Sequence, residues 1–262
     1  MGKRPKVVAI VAARMTSTRL PGKVMRPILG RPTLELMLER MRRTPGVDEV
    51  VVATTEAESS QPICDLAERL HVPLFRGSES DVLGRMVGAA RASDADVIVD
   101  IASDCIVCDP EAIQTCLEAY LAGTADYVSN ALVRSYPIGI DVQVFSTTVL
   151  ADIERLTQDP LHREHASLYI YQHPERYVLK NLTAPAELAA PDLSLVLDTP
   201  KDLQMLTAIY EGLYPVNPVF TLGDILSFLR RHPEIAAITR DVPRPHTVSR
   251  YFSEVLAKGR VS

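Results

Sequence analysis

The sequence predicts an α/β fold: a Rossmann-like, doubly wound and mostly parallel sheet, with an α+β elaboration in its second half. Two observations carry that expectation. Short apolar runs at 7–11, 50–53 and 97–99 contain no alternating polar residues, as expected of strands buried on both faces. Segments with apolar residues at helical spacing separate these runs, and such strand–helix alternation marks a parallel sheet covered on both sides.

Taken in order, 7–11 is a buried strand and 33–43 a helix turning Leu34, Met37, Leu38 and Met41 to one face, with Thr33 as its expected cap. After the break at Gly46 and Asp48 come a strand at 50–53, a helix at 61–70 and a short strand at 72–75 weakened by Pro73. A helix at 80–92 capped by Ser80, a strand at 96–102, a helix at 110–121 capped by Asp109 and a strand at 127–129 complete the regular part. The pattern then loosens. Residues 140–145 alternate like a half-exposed strand, 148–156 and 164–172 read as helices, and 177–182 and 193–197 read as strands. Helices follow at 200–210 and at 221–231, the latter capped by Thr221. The tail, 232–262, carries no readable motif. No linker divides the chain: 1–215 is expected to be the main domain and 216–262 a helical C-terminal extension packed on it.

Bulk properties narrow the function. The formal net charge of −5 supplies no positive field for nucleic acid, so a local cluster of cations points to one small anionic ligand. No apolar run is long enough to span a bilayer, and the N-terminal apolar run is too short for a signal-peptide core. A cytoplasmic protein with Cys64, Cys105, Cys108 and Cys116 reduced is the expectation. Cys105 and Cys108 form a Cys-x-x-Cys, but no second pair completes a zinc site, and buried thiols are the expected state. The Asp94-x-Asp96 pair precedes a strand, at the wrong end for a site, and reads as turn residues.

Ligands of an open parallel sheet sit beyond the carboxyl ends of its strands. Three polar groups fall there. The loop 12–25 after the first strand carries Arg14, Arg19 and Lys23, the hydroxyls of Thr16, Ser17 and Thr18, and a Pro21-Gly22 turn, a composition suited to polyphosphate. It is not a Walker A motif, since Ser17 and Val24 stand where glycine and a hydroxyl residue are required. Asp104 follows the fourth strand and Asp198 follows 195–197; two carboxylates at separate strand ends suit a magnesium ion shared with phosphate oxygens. Asp198 could instead cap the helix beginning at Pro200.

The run Ala-Arg-Met-Thr-Ser-Thr-Arg-Leu-Pro-Gly-Lys (13–23) resembles the nucleotide loop of cytidylyltransferases that activate acidic sugars such as Kdo and sialic acid. With Arg-Gly-Ser-Glu-Ser-Asp-Val-Leu-Gly-Arg (76–85), Ile-Ala-Ser-Asp-Cys (101–105), Asp-Tyr-Val-Ser-Asn (126–130), Tyr-Pro-Ile-Gly-Ile-Asp-Val (136–142) and Leu-Asp-Thr-Pro-Lys-Asp-Leu (197–203), the chain is similar over about 6–210 to their spore-coat polysaccharide relatives. The resemblance implies a fold of the nucleotide-diphospho-sugar transferase type and magnesium-dependent transfer of CMP from CTP to an acceptor hydroxyl, releasing pyrophosphate. It implies Arg14 and Lys23 as catalytic cations on the triphosphate, and Asp104 and Asp198 as Mg2+ ligands. Ala12, Ala13, Ser17, Thr18, Arg76, Ser80, Asp81 and Asp104 would line the nucleotide. Asp141, Gln143, Arg163 and His165 would meet a small acidic or phosphorylated acceptor. The relatives commonly carry Glu where Gln143 stands. A nucleotidyltransferase for a sugar phosphate or a phosphorylated or phosphonate alcohol, and a non-catalytic nucleotide-binding partner in a glycan pathway, are the rival readings. A homodimer built through strands at 140–145 and 177–182 is expected.

Overall fold

In the computed structural model, which describes residues 3–243, the first half runs β1 (Val7–Ala12), β2 (Pro27–Ile28), β3 (Arg31–Pro32), α1 (Thr33–Met41), β4 (Glu49–Thr55), α2 (Gln61–Arg69), β5 (Leu74–Gly77), α3 (Val82–Ala92) and β6 (Val97–Asp100). The second half runs α4 (Pro110–Leu121), β7 (Tyr127–Ser129), β8 (Gln143–Ser146), α5 (Thr147–Leu156), α6 (Pro160–Glu164), α7 (Leu168–Gln172), β9 (Leu179–Asn181), α8 (Pro200–Leu213), α9 (Leu222–Arg231) and α10 (Pro233–Ala237). Seven strands form one sheet in the order β5-β4-β1-β6-β8-β7-β9, and β2 and β3 make a separate antiparallel pair. Only β8 runs against its neighbours, β6 and β7.

The apolar runs explain the layering. Along β1, Val7, Ala9 and Val11 join a core under α1, α2, α4, α8 and α9, while Val8 and Ile10 join a second core under α3, α5 and α7. Alternate side chains of a strand face opposite sides, so a strand covered on both must be apolar throughout. On α1, Leu34, Met37, Leu38 and Met41 are all buried, each stabilising the fold by roughly 1.5–3 kcal/mol relative to exposure.

Several expectations change in detail. Thr33 does not cap α1; Pro32 holds that position, and the Thr33 hydroxyl donates to the Lys23 carbonyl at 2.7 Å. Ser80 does not cap α3; the Asp81 carboxylate accepts from the Gly84 amide at 2.9 Å and does so. Residues 140–145 are not a half-exposed strand, because β8 lies inside the sheet with Val144 and Phe145 wholly buried. The expected helix at 164–172 is two short ones, broken at His165, whose backbone is not helical. Residues 193–197 add no strand to the sheet; they are extended, with one bridge from Ser194 to Ile138, and their amides bond to loops instead. Asp109 and Thr221 cap α4 and α9 as the sequence predicts, the latter with Asp224 in a reciprocal capping box.

The described residues 216–243 pack on the rest. The Leu222 amide donates to Asp109 at 2.6 Å, and buried Arg40 donates to the carbonyls of Cys108 and Phe220 at 2.7 and 2.9 Å. His246, which the sequence reads as a surface residue, lies outside the described residues. His162, read the same way, is half-buried and hydrogen-bonded to Thr157 and Gln172, both at ring nitrogens.

Candidate active site

The chain moves outward from β1 to β4 and β5, then returns to place β6 on the other side of β1. That reversal opens a crevice at the carboxyl ends of β1 and β6. The loop leaving β1 is closed by a hydrogen bond from the Gly22 amide to the Met15 carbonyl at 2.9 Å. Gly22 sits at φ 65°, a left-handed conformation that costs glycine little. This turn begins a 3-10 segment, Lys23–Met25, and aims Lys23 into the crevice.

Lys23 Nζ donates to Asp104 Oδ2 at 2.9 Å and to Asp198 Oδ1 at 2.8 Å. Burial works against its charge, but the Asp104 and Asp198 carboxylates outweigh burial and hold its pKa above that of an ordinary lysine. The other Asp198 oxygen accepts from Arg19 at 2.8 Å. Two backbone features bring the carboxylates together. The Leu197 amide donates to the Asp104 carbonyl at 2.9 Å, and Asp198 directly precedes Thr199, the cap of α8. Capping belongs to Thr199 and the fully buried Asp202, which accepts from the amides of Asp198 and Thr199 at 3.0 and 2.7 Å. The Asp198 carboxylate is thereby left for the crevice.

Next to this cluster is a cavity of about 420 Å³. Ala12, Asp104 and Asp198 line its side nearest the β1 loop, and Val82 and Met86 of α3 contribute an apolar wall. Asp100, Gln143, Ser167, Tyr171, Glu164, His165 and the Arg134–Asp141 pair line the remainder. Arg134 holds Asp141 with two parallel bonds at 2.8 and 3.0 Å, and that carboxylate outweighs burial to raise the guanidinium's pKa further. Gly139, at φ 96°, lets this loop lie against the backbone of Leu195 and Val196: a β-carbon there would fall 2.7 Å from the Leu195 carbonyl carbon.

The structure thus brings together Ala12, Lys23, Asp104, Asp198, Asp141, Gln143 and His165. Others from the sequence reading are placed differently. Arg163 does not line the cavity: it ion-pairs with Asp81 and donates to the Glu154 carbonyl, tying α6 to the start of α3. Arg76 donates to the carbonyls of Thr55 and Glu56 at the sheet edge, and the Ala13 amide is spent on the Ala53 carbonyl. The Asp81 carboxylate is occupied by capping and by Arg163. Ser17 accepts from the Leu20 amide at 3.4 Å within its own loop, Thr18 is exposed, and Ser80 lies 3.4 Å from Ser78. Arg14 reaches toward Glu164, which lines the cavity, at 3.7 Å. The sequence reading passed over Asp100 and Arg134. Asp100 ends β6 just as Asp104 follows it, and that was the available signal; for Arg134 there was none.

Among the described residues no group of three or more metal-ligating side chains occurs, so the Asp104–Asp198 pair is the candidate for an ion completed by substrate and water. The Cys-x-x-Cys thiols are free and buried, with burial pushing Cys108 up to about 12, so they are not poised as nucleophiles. Asp94 and Asp96 serve a turn, Asp96 accepting from the Lys6 amide at 2.7 Å. No described helix is long and apolar enough to cross a membrane.

Residues 8–219 match the family model described as cytidylyltransferase. The chain is 31% identical to the spore coat polysaccharide biosynthesis protein SpsF of Bacillus subtilis, covering 88% of this chain and 96% of that one. It is 26% identical to a 3-deoxy-manno-octulosonate cytidylyltransferase of Geobacter metallireducens, over 64% of this chain and 62% of that one. Among solved structures, a cytidylyltransferase from Leptospira borgpetersenii superposes with a TM-score of 0.84 at 26% identity, covering 93% of this chain and all of that one. The chain belongs to the cytidylyltransferase family and is a nucleotidyltransferase.

Proposed function

We propose that the protein moves CMP from CTP to a hydroxyl of an acidic sugar or related acceptor, with magnesium, in surface polysaccharide biosynthesis. The observation that carries this reading is the convergence of Asp104 and Asp198 on a single cation, Lys23 Nζ, at the end of a cationic loop. Two carboxylate oxygens facing one point are a hard-oxygen donor set, which fits Mg2+. When bound there, the ion would offset phosphate charge and polarise the reacting oxygens. Lys23, Arg14 and Arg19 meet the triphosphate, and the cavity beyond Asp100 and Gln143 receives the acceptor. The acceptor oxygen attacks the α-phosphorus, the bond from that phosphorus to the β-phosphate bridging oxygen breaks, pyrophosphate leaves, and the hydroxyl proton passes to solvent. Chemistry of this kind rests on positioning and charge stabilisation. The loss of Arg163 from the acceptor set leaves Arg134 as the cation that meets an acceptor carboxylate.

Pyrophosphate release with CTP, magnesium and a panel of sugar acids is the test. Asp104→Asn and Asp198→Asn should each lower the rate at least about a hundredfold, on the scale of losing one charge-stabilising group. A wild-type rate in either variant would remove that carboxylate from the mechanism. A cytosolic homodimer is the assembly proposed. Interior β8 cannot supply its strand, but edge strand β9 can, beside the exposed Val178 and Val133. Light scattering should give twice the chain mass.

A further inference from the structure

Five carboxylates line the cavity, and four of them have a cation from the protein. Lys23 serves Asp104 and Asp198, Arg134 serves Asp141, and Arg14 approaches Glu164. Among the described residues no cation meets Asp100. It is 9% exposed, ends β6, and has a side-chain amide as its hydrogen-bond partner: Gln143 Nε2, at 3.3 Å. Asp100 and Gln143 are paired residues of β6 and β8, so the sheet register fixes their opposition. The Gln143 side-chain oxygen accepts from Tyr127 Oη at 2.7 Å and from Ser167 Oγ, which leaves its NH2 for the Asp100 carboxylate.

A carboxylate buried without a cation is costly, and a ligand that supplies one recovers that cost. Burial alone raises the Asp100 pKa to about 7, which agrees with the absence of a neighbouring positive charge among the described residues. We propose that Asp100 binds an ammonium group of the acceptor, making the acceptor an amino-bearing sugar acid or amino sugar. This deepens the cytidylyltransferase reading and rests on it. The reacting hydroxyl lies toward Asp104 and Asp198, while the amino group occupies the end of the cavity lined by Asp100, Gln143 and Ser167. A second anionic group at that end is disfavoured by Asp100 itself.

Glucosamine, glucose and glucuronate serve as probes, each titrated by calorimetry into the full chain with CTP and magnesium bound. Glucosamine should bind at least tenfold tighter than glucose or glucuronate, and D100N, which keeps the side chain's shape, should remove that preference. Binding of CTP and magnesium by D100N reports that the variant is folded. Equal binding of the three probes by the wild type, or an unchanged glucosamine preference in D100N, overturns the proposal. Failure of the wild type to bind CTP with magnesium would instead overturn the nucleotidyl-transfer reading, so the two failures are distinct.

Discussion

Asp100 shows what a single buried carboxyl does to the whole protein's pH response. Its folded-state pKa, about 7, lies above the ordinary 3.8, because burial disfavours the charged form. Between those values the folded chain holds a proton that the unfolded chain has released. Stability from that proton is present in full below about pH 4 and is lost as the pH rises through 7. Asp100→Asn does not titrate, so the variant should gain on the wild type by up to a few kcal/mol between pH 4 and 8. Denaturant melts of both proteins across that range check it; parallel curves would place Asp100 in a wetter setting. At this scale the sequence revealed types better than partners. Lys23, Asp104 and Asp198 stood out because each lies in a loop that follows an apolar run in the sequence. Arg163 was misplaced because its helix stops at His165, and that break directs it to Asp81.

Elements built from local contacts were readable, and those built from distant ones were not. Helix α4 begins and ends where the spacing, Pro110 and Asp109 place it, since its cap and its apolar face lie within one short stretch. Residues 193–197 look like a strand because they are extended and apolar, yet their hydrogen bonds go to Ile138 and Asp104 in loops. The close approach of Gly139 makes that arrangement possible. Gly139→Ala adds a methyl group 2.7 Å from Leu195 backbone and forces φ 96° on a residue that resists it. A loss on the order of 2 kcal/mol or more is expected. Activity should fall further than stability alone explains, because this contact positions both the Asp141 loop and the approach to Asp198. A thermal melt alongside a rate assay separates the two effects.

Across the whole molecule, the C-terminal helices and the sheet form one packed unit. Arg40 is 3% exposed, bridges the Cys108 and Phe220 carbonyls, and lies 4.4 Å from the Phe220 ring centre. Arg40→Leu leaves two buried carbonyls without donors, a loss of roughly 2–6 kcal/mol at 1–3 kcal/mol for each unsatisfied group. Melting should remain a single transition at lower temperature; a separate early transition would show that the segment beyond 216 unfolds alone. CTP and magnesium together should raise the melting temperature more than either does singly, because the proposed function has Asp104, Asp198 and the loop cations bind them as one joint ligand. The sequence alone determined the fold class and the cytidylyltransferase resemblance, and it set Lys23, Asp104 and Asp198 in loops after apolar runs, because apolar period and turn residues are local properties. Tertiary structure alone decided which cation meets which carboxylate. Arg163 and Asp100 owe their partners, Asp81 and Gln143, to chain segments 82 and 43 positions away, and hydrogen-bond geometry across such distances leaves no trace in local pattern.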